Sequence, residues 1–494
     1  SGERFSMSDQ LLIILALLLP LAGAVGITLC GRWPNLRESI TLVTAAALGL
    51  IVINLYLRLQ QGADLSLQVA EPLPGIPVQF TIEPLGMLFA LVAGLLWFVT
   101  SVYSIGYMRG HNEKNQTRFY AMFAVAIACT MGTAFAGNLF TLFLFYEILT
   151  ISTYPLVAHA GTEEARRGAR TYLGILLGTS IGLQLLAIMI TYSLAGTLDF
   201  RVGGILSEYL DPAWAGLLYA LFIFGIGKAA VMPFHRWLPA AMVAPTPVSA
   251  LLHAVAVVKA GVFSVLKVTL YIFGTDFMAE SGASDWLIWF AGGTILLASL
   301  VAMTKDNLKA RLAYSTVSQL SYIVLGAMLA TQMGILGGSL HIAMHAFAKI
   351  TLFFAAGAIL VAAHKTEVSQ LNGLGRQMPL TFLFFTIGAC SIIGLPPFGG
   401  MWSKWYLAMG TIEAGQWMLL AVLMISSLLN IAYLLAIPAR AFFIEPKATD
   451  NQSHGEAPLT CLIAMSLTSL MCIVLFFNPE PFYSLARMLV MQEP

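Results

Sequence analysis

Uninterrupted apolar runs of twenty residues or more recur along the whole chain, beginning with LLIILALLLPLAGAVGITLC at 11–30. A run of that length crosses the hydrocarbon of a bilayer as a helix. The apolar residues follow one another continuously instead of alternating, which excludes a membrane β-barrel. Candidate spans fall near 9–31, 35–58, 83–108, 117–136, 139–160, 168–195, 214–241, 247–273, 285–304, 309–330, 335–363, 379–409, 415–444 and 458–477. The expected fold is therefore an all-α polytopic membrane protein of about fourteen transmembrane helices. Composition agrees: of 494 residues 59% are hydrophobic and 10% charged, too little polar surface for a soluble globular chain. Soluble-enzyme, coiled-coil and disordered classes are excluded, and a net charge of +1 leaves no electrostatic footprint for nucleic acid.

Basic residues supply an orientation. The loops after odd-numbered spans hold Arg32, Arg37, Arg109, Lys114, Arg118, Arg166, Arg167, Arg170, Arg236, Lys305, Lys309, Arg311, Lys365, Arg376, Arg440 and Lys447, and those after even-numbered spans hold Arg58 and Arg201. Positive residues stay cytoplasmic, so both termini are expected outside a cell membrane. Ser1–Ser6 precede a candidate start at Met7 and are set aside; the first apolar run has no cleavage signature and reads as a retained helix. Loops 59–82, 195–213 and 445–457 read as surface cover. Cys30, Cys129, Cys390, Cys461 and Cys472 lie in or beside apolar runs without metal-ligand spacing and read as buried hydrophobes. No metal or cofactor site is expected, and no pattern for flavin, nicotinamide, Fe–S or quinone is visible.

Ionisable residues inside spans stand out against this background. Glu147, Lys228, Lys259, Lys349 and Lys404 each sit in an apolar run, at a cost of about 2.5–3.5 kcal/mol near mid-bilayer. One glutamate cannot neutralise four lysines, and burial disfavours the charged amine, so such lysines are candidate proton carriers. His341, His345 and Lys349 recur at i, i+4 and i+8 and form one helical stripe covering about 12 Å of depth. A row of three titratable groups reads as a relay; a single histidine would read as satisfied by a neighbouring backbone. A bis-histidine haem would need histidines on a facing helix, and His253 is the one other deep candidate. His253, Tyr314, Ser315, Ser318 and Gln319 either line a water path or tie helices together. His159, His235 and His364 read as interfacial, and Lys267 as a residue that snorkels outward.

Two spans carry breakers. Pro233 follows Lys228 by five residues, and Pro396, Pro397, Gly399 and Gly400 precede Lys404. Proline frees a backbone carbonyl, which in lipid is tolerated where protein or water takes over the bond. A break beside a buried lysine, twice and five helices apart, is the pattern of a transporter with inverted repeats. The expected division is 7–116 for helices one to three, 117–273 and 285–444 for two five-helix repeats, and 458–494 for the last helix and tail.

Four stretches carry a resemblance: LFTLFLFYEILTISTYPLVAH around Glu147, GIGKAAVMPFHRWLPAAMVAPTPVSALLHAVAVVKAG, DNLKARLAYSTVSQLSY, and HIAMHAFAKITLFFAAGAI. Over about 80–445 the chain resembles the antiporter-like subunits shared by Mrp-type multisubunit Na⁺/H⁺ antiporters, respiratory complex I and membrane-bound hydrogenases, and in length and layout the D-type member of Mrp antiporters. The segment with His253 is also similar to A-type antiporter and L-type complex I subunits. The resemblance implies fourteen helices with the seventh and twelfth broken. It implies a Glu147–Lys228 pair, a central Lys259, the connecting stripe His341–His345–Lys349, and Lys404 as the end of a proton axis. Partners of Mrp A, B, C, E, F and G type would follow, with lipid, H⁺ and Na⁺ as what the chain meets and moves, and no catalysis of its own. A lysine at 404 favours the antiporter branch over the M-type subunit of complex I, which often has an acid there. A redox-driven pump, a subunit powering inorganic carbon uptake, and a scaffold whose buried charges only hold subunits together are the competing readings.

Overall fold

A computed structural model describes residues 2–447 and 454–492. Ser1, the middle of the loop expected at 445–457 and the last two residues lie outside them. The chain runs as α1 (Gly2–Leu29), α2 (Pro34–Gln60), strands β1 (Ser66–Leu73) and β2 (Ile76–Thr81), then α3 (Pro84–Gly110), α4 (Gln116–Ala134) and α5 (Leu139–Val157). There follow α6 (Glu163–Ala195), α7 in two halves (Pro212–Gly225 and Trp237–Ala240), α8 (Thr246–Phe273), α9 (Ile288–Thr304), α10 (Leu308–Leu329) and α11 (Gln332–Ala363). Last come α12 in two halves (Pro379–Ile393 and Gly400–Glu413), α13 (Trp417–Phe443), α14 (Leu459–Phe477) and a terminal helix α15 (Phe482–Val490). Ten helices of the described residues are long and apolar enough to cross a membrane. The other four expected spans are also helical: α4 carries more polar residues, α9 has 17 residues, and α7 and α12 are each divided.

Two helices organise the packing. α11 packs against α3, α8, α10, α14, α15 and both halves of α12, and nearly all its residues are buried. α8 is buried along its whole length. A helix enclosed by protein on every side needs no solvent-facing polar side, so apolar residues run all round both, and their few ionisable groups, such as Lys259 on α8 and His345 on α11, are buried with them. Peripheral α1, α2, α6, α13 and α14 keep about a third of their apolar window buried and turn the rest outward, the arrangement of lipid-facing helices.

The breaks in α7 and α12 fall where the sequence placed them. Both regions contain a cis proline bond, Met232–Pro233 and Pro396–Pro397. The freed backbone groups find partners within the protein, as a membrane interior demands. Trp237 Nε1 donates to Gly227 O (2.8 Å), Lys228 N to the Tyr146 hydroxyl (3.2 Å) and Met232 N to Thr294 Oγ1 (3.1 Å). At the second break Gly399 N donates to Cys472 O (2.8 Å) and Gly400 N to Ser391 Oγ (3.1 Å). A third irregularity was not foreseen. α8 changes course at Ala256 (φ −136°, ψ −67°), between a π-turn over Leu251–Val255 and the helix that holds Lys259. No proline or glycine stands at that point to announce it. α8 then presses on the broken α7: a Cβ on Gly261 would lie 2.3 Å from Ala229 N and from Lys228 C.

Two expectations need correction. The loop at 59–82 contains an antiparallel hairpin, Ser66 opposite Thr81 and Leu73 opposite Ile76, with Gly75 at φ +82° in its turn. Its second strand is knitted to the ends of α4 and α5: Thr81 N donates to Phe135 O (2.8 Å), Gly137 N to Gln79 O (2.9 Å) and Asn138 Nδ2 to Pro77 O (2.6 Å). Lys267 does not snorkel. It is 1% exposed, packed by Phe200, Phe263 and Tyr271, and its ammonium meets Glu83 Oε1 at 2.7 Å. Glu83 caps α3 by accepting from Leu85 N and Gly86 N, and Tyr271 donates to its other oxygen (2.9 Å). The Lys267 charge and these hydrogen bonds offset the cost of burying the carboxylate. The partner lies 184 residues upstream, outside any local pattern.

Two stability predictions follow from these contacts. Gly261→Val drives a branched side chain into the backbone at Lys228. It should cost about 1–3 kcal/mol, read as a lowered melting temperature of the detergent-purified protein. Glu83→Gln leaves a buried ammonium without its counter-charge and should cost about 3–5 kcal/mol. The double variant Glu83→Gln/Lys267→Met should recover most of that loss; a single variant as stable as the parent would show the pair to be dispensable.

Candidate functional site: a buried polar axis

Lys259 and His345 form the centre. Both are buried (0% and 1% exposed), and Lys259 Nζ is hydrogen-bonded to His345 Nδ1 across the α8–α11 contact. One helical turn along α11, His341 stands with its ring 5.7 Å from that of His345. His341 Nδ1 contacts Ser403 Oγ of α12 (2.7 Å) and its Nε2 contacts Gln319 Oε1 of α10 (2.9 Å). One turn the other way, Lys349 donates to Ser315 Oγ (2.6 Å), which is also hydrogen-bonded to the Tyr433 hydroxyl (3.1 Å). Tyr433 bonds Asn430 Oδ1 in turn (2.5 Å). The stripe spaced by fours on α11 thus reaches α8, α10, α12 and α13 at successive levels, which is what a helix enclosed on all sides makes available.

Lys404 occupies the far end, partly buried. It stands just after α12 restarts, and its ammonium donates to Ile393 O (2.9 Å), the last carbonyl of the first half, and to Ser427 Oγ (3.0 Å). A cation at a helix C-terminus is placed where the backbone dipole favours it. The Tyr322 ring lies between the two groups: Lys404 Nζ is 5.1 Å from its centroid, and the His341 ring stacks on it at 5.7 Å. The Tyr322 hydroxyl donates to Ser426 Oγ (2.7 Å), which joins Ser299 (3.0 Å) and Ser318 (3.4 Å) in a cluster of hydroxyls.

On the other flank, Lys228 is wholly buried at the break of α7. Its ammonium donates to Tyr146 O (2.6 Å) and Thr150 Oγ1 (2.5 Å) and lies 3.4 Å from the centroid of the Tyr146 ring. The expected Glu147–Lys228 contact is not formed. Adjacent residues of a helix point about 100° apart, and Lys228 takes the face of α5 defined by Tyr146 and Thr150, one turn apart. Glu147 turns to the neighbouring face, half-buried and beside Ser180 of α6, where Lys228 acts on it from beyond bonding distance. Its Oε1 has no hydrogen-bond partner among the described residues.

The other positions singled out from the sequence separate cleanly. Ser315, Ser318 and Gln319 face the axis and are buried. Tyr314 does not: it sits beside His235 (6.2 Å between rings) under the Lys305 ammonium (5.5 Å). His253 is buried in the π-turn before Ala256, its ring tilted 32° against that of Phe353 at 4.3 Å, and neither ring nitrogen has a partner among the described residues. Pro233, Pro396, Pro397, Gly399 and Gly400 lie in the connections that expose Lys228 and Lys404 to side chains of other helices. His159 stands just past the end of α5, buried, its Nε2 against Lys114 O (2.8 Å) in the loop between α3 and α4. The sequence reading missed Tyr322, Ser403, Thr150, Tyr433 and Asn430. Tyr322 and Ser403 carried a signal: the first continues the run Ser315–Ser318–Gln319 by one turn, and the second adjoins Lys404. The rest are ordinary polar residues whose meaning comes from what they touch.

Amines, imidazoles, hydroxyls and amides in an enclosed row can pass protons, because each can accept or release one or bridge to the next. Among the described residues no three His, Cys, Asp or Glu side chains converge to hold a metal ion.

Comparison with known proteins adds to this geometry. The transmembrane family described as "NADH:quinone oxidoreductase/Mrp antiporter, TM" matches residues 136–430, and "NADH-Ubiquinone oxidoreductase (complex I), chain 5 N-terminus" matches 74–120. The chain is similar to the N-type subunit of NADH-quinone oxidoreductase from Desulforudis audaxviator, at 33% identity over 87% of this chain and 86% of the relative. It is similar to the D-type subunit of the Na⁺/H⁺ antiporter from Alkalihalophilus pseudofirmus, at 27% identity over 96% and 95%. Some further curated relatives are longer, and this chain spans 65% or 50% of their length. Among solved structures, the Mrp complex of Dietzia sp. contains a chain of the same fold, with TM-score 0.86, 22% identity, and 98% and 97% of the two chains covered. The first of these family matches takes in more than half of the chain, from just before α5 through Asn430, with Glu147, Lys228, Lys259, His341, His345, Lys349 and Lys404 inside it, and so this multi-pass membrane protein belongs to the NADH:quinone oxidoreductase/Mrp antiporter transmembrane family.

Proposed function

We propose that this chain carries protons through the membrane as the D-type subunit of a multisubunit Na⁺/H⁺ antiporter. The observation that carries the reading is the direct Lys259–His345 hydrogen bond, flanked on the same helix by His341 and Lys349 and continued through Ser403 and Tyr322 to Lys404. Antiport, as against another use of the same axis, is supported by the likeness to a D-type antiporter subunit over nearly the full length of both chains. The lysine at 404 supports it too.

Protons step between amine and imidazole along the row. A charge gained at Lys259 alters the affinity for protons of its neighbours, because interactions inside a low-dielectric bundle fall off slowly. The two five-helix units, 117–273 and 285–444, meet at the α8–α11 contact that holds this centre. One opening is a cleft of about 270 Å³ at the loop side of α8, α10 and α11, where Lys309 donates to Ala244 O (2.6 Å). His253, with two unpartnered ring nitrogens, stands on α8 between that cleft and Lys259, and water on its ring would complete the link. The charge asymmetry of the loops supports a cytoplasmic side of a cell membrane for this cleft, with both termini outside. Small membrane subunits of Mrp A, B, C, E, F and G type are the partners of this reading.

A second reading is favoured by one comparison. The similarity to an N-type subunit of NADH-quinone oxidoreductase fits the same axis driven by redox partners. Copurification separates the two: small Mrp-type membrane proteins accompany the chain in the first case, redox subunits in the second.

The test is Na⁺-induced pH change in everted vesicles from cells without antiporters of their own, with the whole operon expressed and assembly checked by native gel. Lys259→Ala should abolish exchange, and Glu147→Ala, Lys228→Ala and Lys404→Ala should each reduce it at least tenfold, with assembly intact. Exchange unchanged in all four variants would remove the proposal. Ser315→Ala deprives Lys349 of its hydroxyl partner and should slow exchange about tenfold, the equivalent of one charge-assisted hydrogen bond of about 1.5 kcal/mol.

A further inference from the structure

Away from the axis, the loops joining α1 to α2 and α3 to α4 enclose a cleft of about 840 Å³ lined by Asn35, Arg37, Arg109, Glu113, Gln116 and Arg118 among others. Three guanidinium groups stand against two carboxylates there: Glu113 is taken by His111 Nδ1 at 2.9 Å, and Glu38 lies beside Arg109 and Arg37. Arg109 is anchored by Glu38 (Nε to Oε1, 3.0 Å) and Asn35 (2.8 Å), and Arg118 by His159 O (3.1 Å), so both are positioned and still exposed. Arg37 is the unusual member. It is 6% exposed, bonded to Thr117 Oγ1 (3.1 Å) and Gln116 Oε1 (3.2 Å) and 3.6 Å from Glu38 Oε1. Its Nε has no partner among the described residues. Arg37 lines the cleft together with Arg109 and Arg118, so an anion there would meet three guanidinium groups fixed in place by other contacts.

The same two helices carry a second feature. An apolar crevice of about 480 Å³ runs between α2, α3 and α14, lined by Ala45, Gly49, Leu50, Phe98, Leu470 and neighbours. Gly49 lies eleven residues after Glu38, and Phe98 eleven residues before Arg109. Eleven residues are close to three whole turns, so the crevice faces the same way as the Glu38–Arg109 pair and lies about 16 Å deeper. That is about half of a bilayer's hydrocarbon thickness, the depth of one leaflet. Trp33 and Leu36 are exposed beside Arg37, at the level where interfacial side chains sit.

We propose that the Arg37–Arg109–Arg118 cleft holds the phosphate of one anionic phospholipid, whose acyl chain follows α2 and α3 into the apolar crevice. The phosphate diester meets the guanidinium groups that line the cleft, and the anionic headgroup balances the positive charge left there on the basic side of the membrane, where such pockets recognise acidic lipids. Free phosphate would use the same guanidinium groups but leave the crevice without an occupant.

The experiment titrates the delipidated protein in detergent with dioleoylphosphatidylglycerol, dioleoylphosphatidylcholine or inorganic phosphate, following melting temperature and lipid adducts by native mass spectrometry. Phosphatidylglycerol should raise the melting temperature and leave one retained adduct, while phosphatidylcholine and phosphate should not. Arg118→Gln, at an exposed position that folding does not need, and Arg37→Gln should each weaken the phosphatidylglycerol effect at least tenfold. Gly49→Leu, which fills the crevice, should weaken the lipid effect without touching an arginine. Equal responses to both lipids, an equal response to phosphate alone, or variants that bind like the parent would overturn the proposal. A partner subunit crosslinked into the crevice in the intact complex would overturn it as well.

Discussion

An ammonium group removed from water must be given something to hold, and in this fold that requirement is met mostly by oxygen atoms without charge. Lys228 holds a backbone carbonyl and a threonine hydroxyl, Lys349 a serine, and Lys404 a helix-terminal carbonyl and a serine. Lys259 holds an imidazole. Among the described residues none of these four has a carboxylate within ion-pairing distance, whereas Lys267, at the edge of the bundle, has Glu83. The contrast is physical. A carboxylate fixes a lysine in its charged form, while a hydroxyl, carbonyl or imidazole accommodates the amine and leaves its proton free to move.

The broken helices follow from the same need. The carbonyls at the end of a helix have no partner in its own backbone and are free to accept from a cation. Interrupting α12 frees Ile393 O for Lys404, and interrupting α7 turns Lys228 out of its own helix towards α5. Each interruption in turn demands outside partners for the loosened backbone, and Trp237, Tyr146, Thr294, Ser391 and the Cys472 carbonyl provide them. The irregularity at Ala256 belongs to the same group. It sits between His253 and Lys259, on the helix with the deepest burial in the molecule, and brings the π-turn and the central lysine onto one line of approach.

How much of this could be read beforehand varies with the range of the interaction involved. The helices, the two breaks and the stripe His341–His345–Lys349 are local properties, carried by run length, proline and a spacing of four. The hairpin at 66–81, the bend at Ala256 and the burial of Lys267 are not. Their partners lie far away in the chain: the ends of α4 and α5 for the hairpin, Glu83 for Lys267, and for Ala256 the helices that surround α8. The lost expectation of a Glu147–Lys228 contact has the same origin. Both residues were correctly seen as charges inside spans, but which face of α5 Lys228 would meet is decided by the turn at Gly227–Ala229, and that turn is shaped by Gly261 of another helix.

The amino-acid sequence alone determined that the chain lies in a membrane, where its helices run, which two are interrupted, and which ionisable groups are carried inside, because hydropathy, helical period and proline chemistry act over a few residues. Tertiary structure decided which of those groups touch. Lys259 and His345 are 86 residues apart, and Lys349 reaches Tyr433 through Ser315. Contacts of that range are set by how enclosed helices rotate and pack against one another; the stripe on α11 shows which of its residues share a face, and not which helix that face meets.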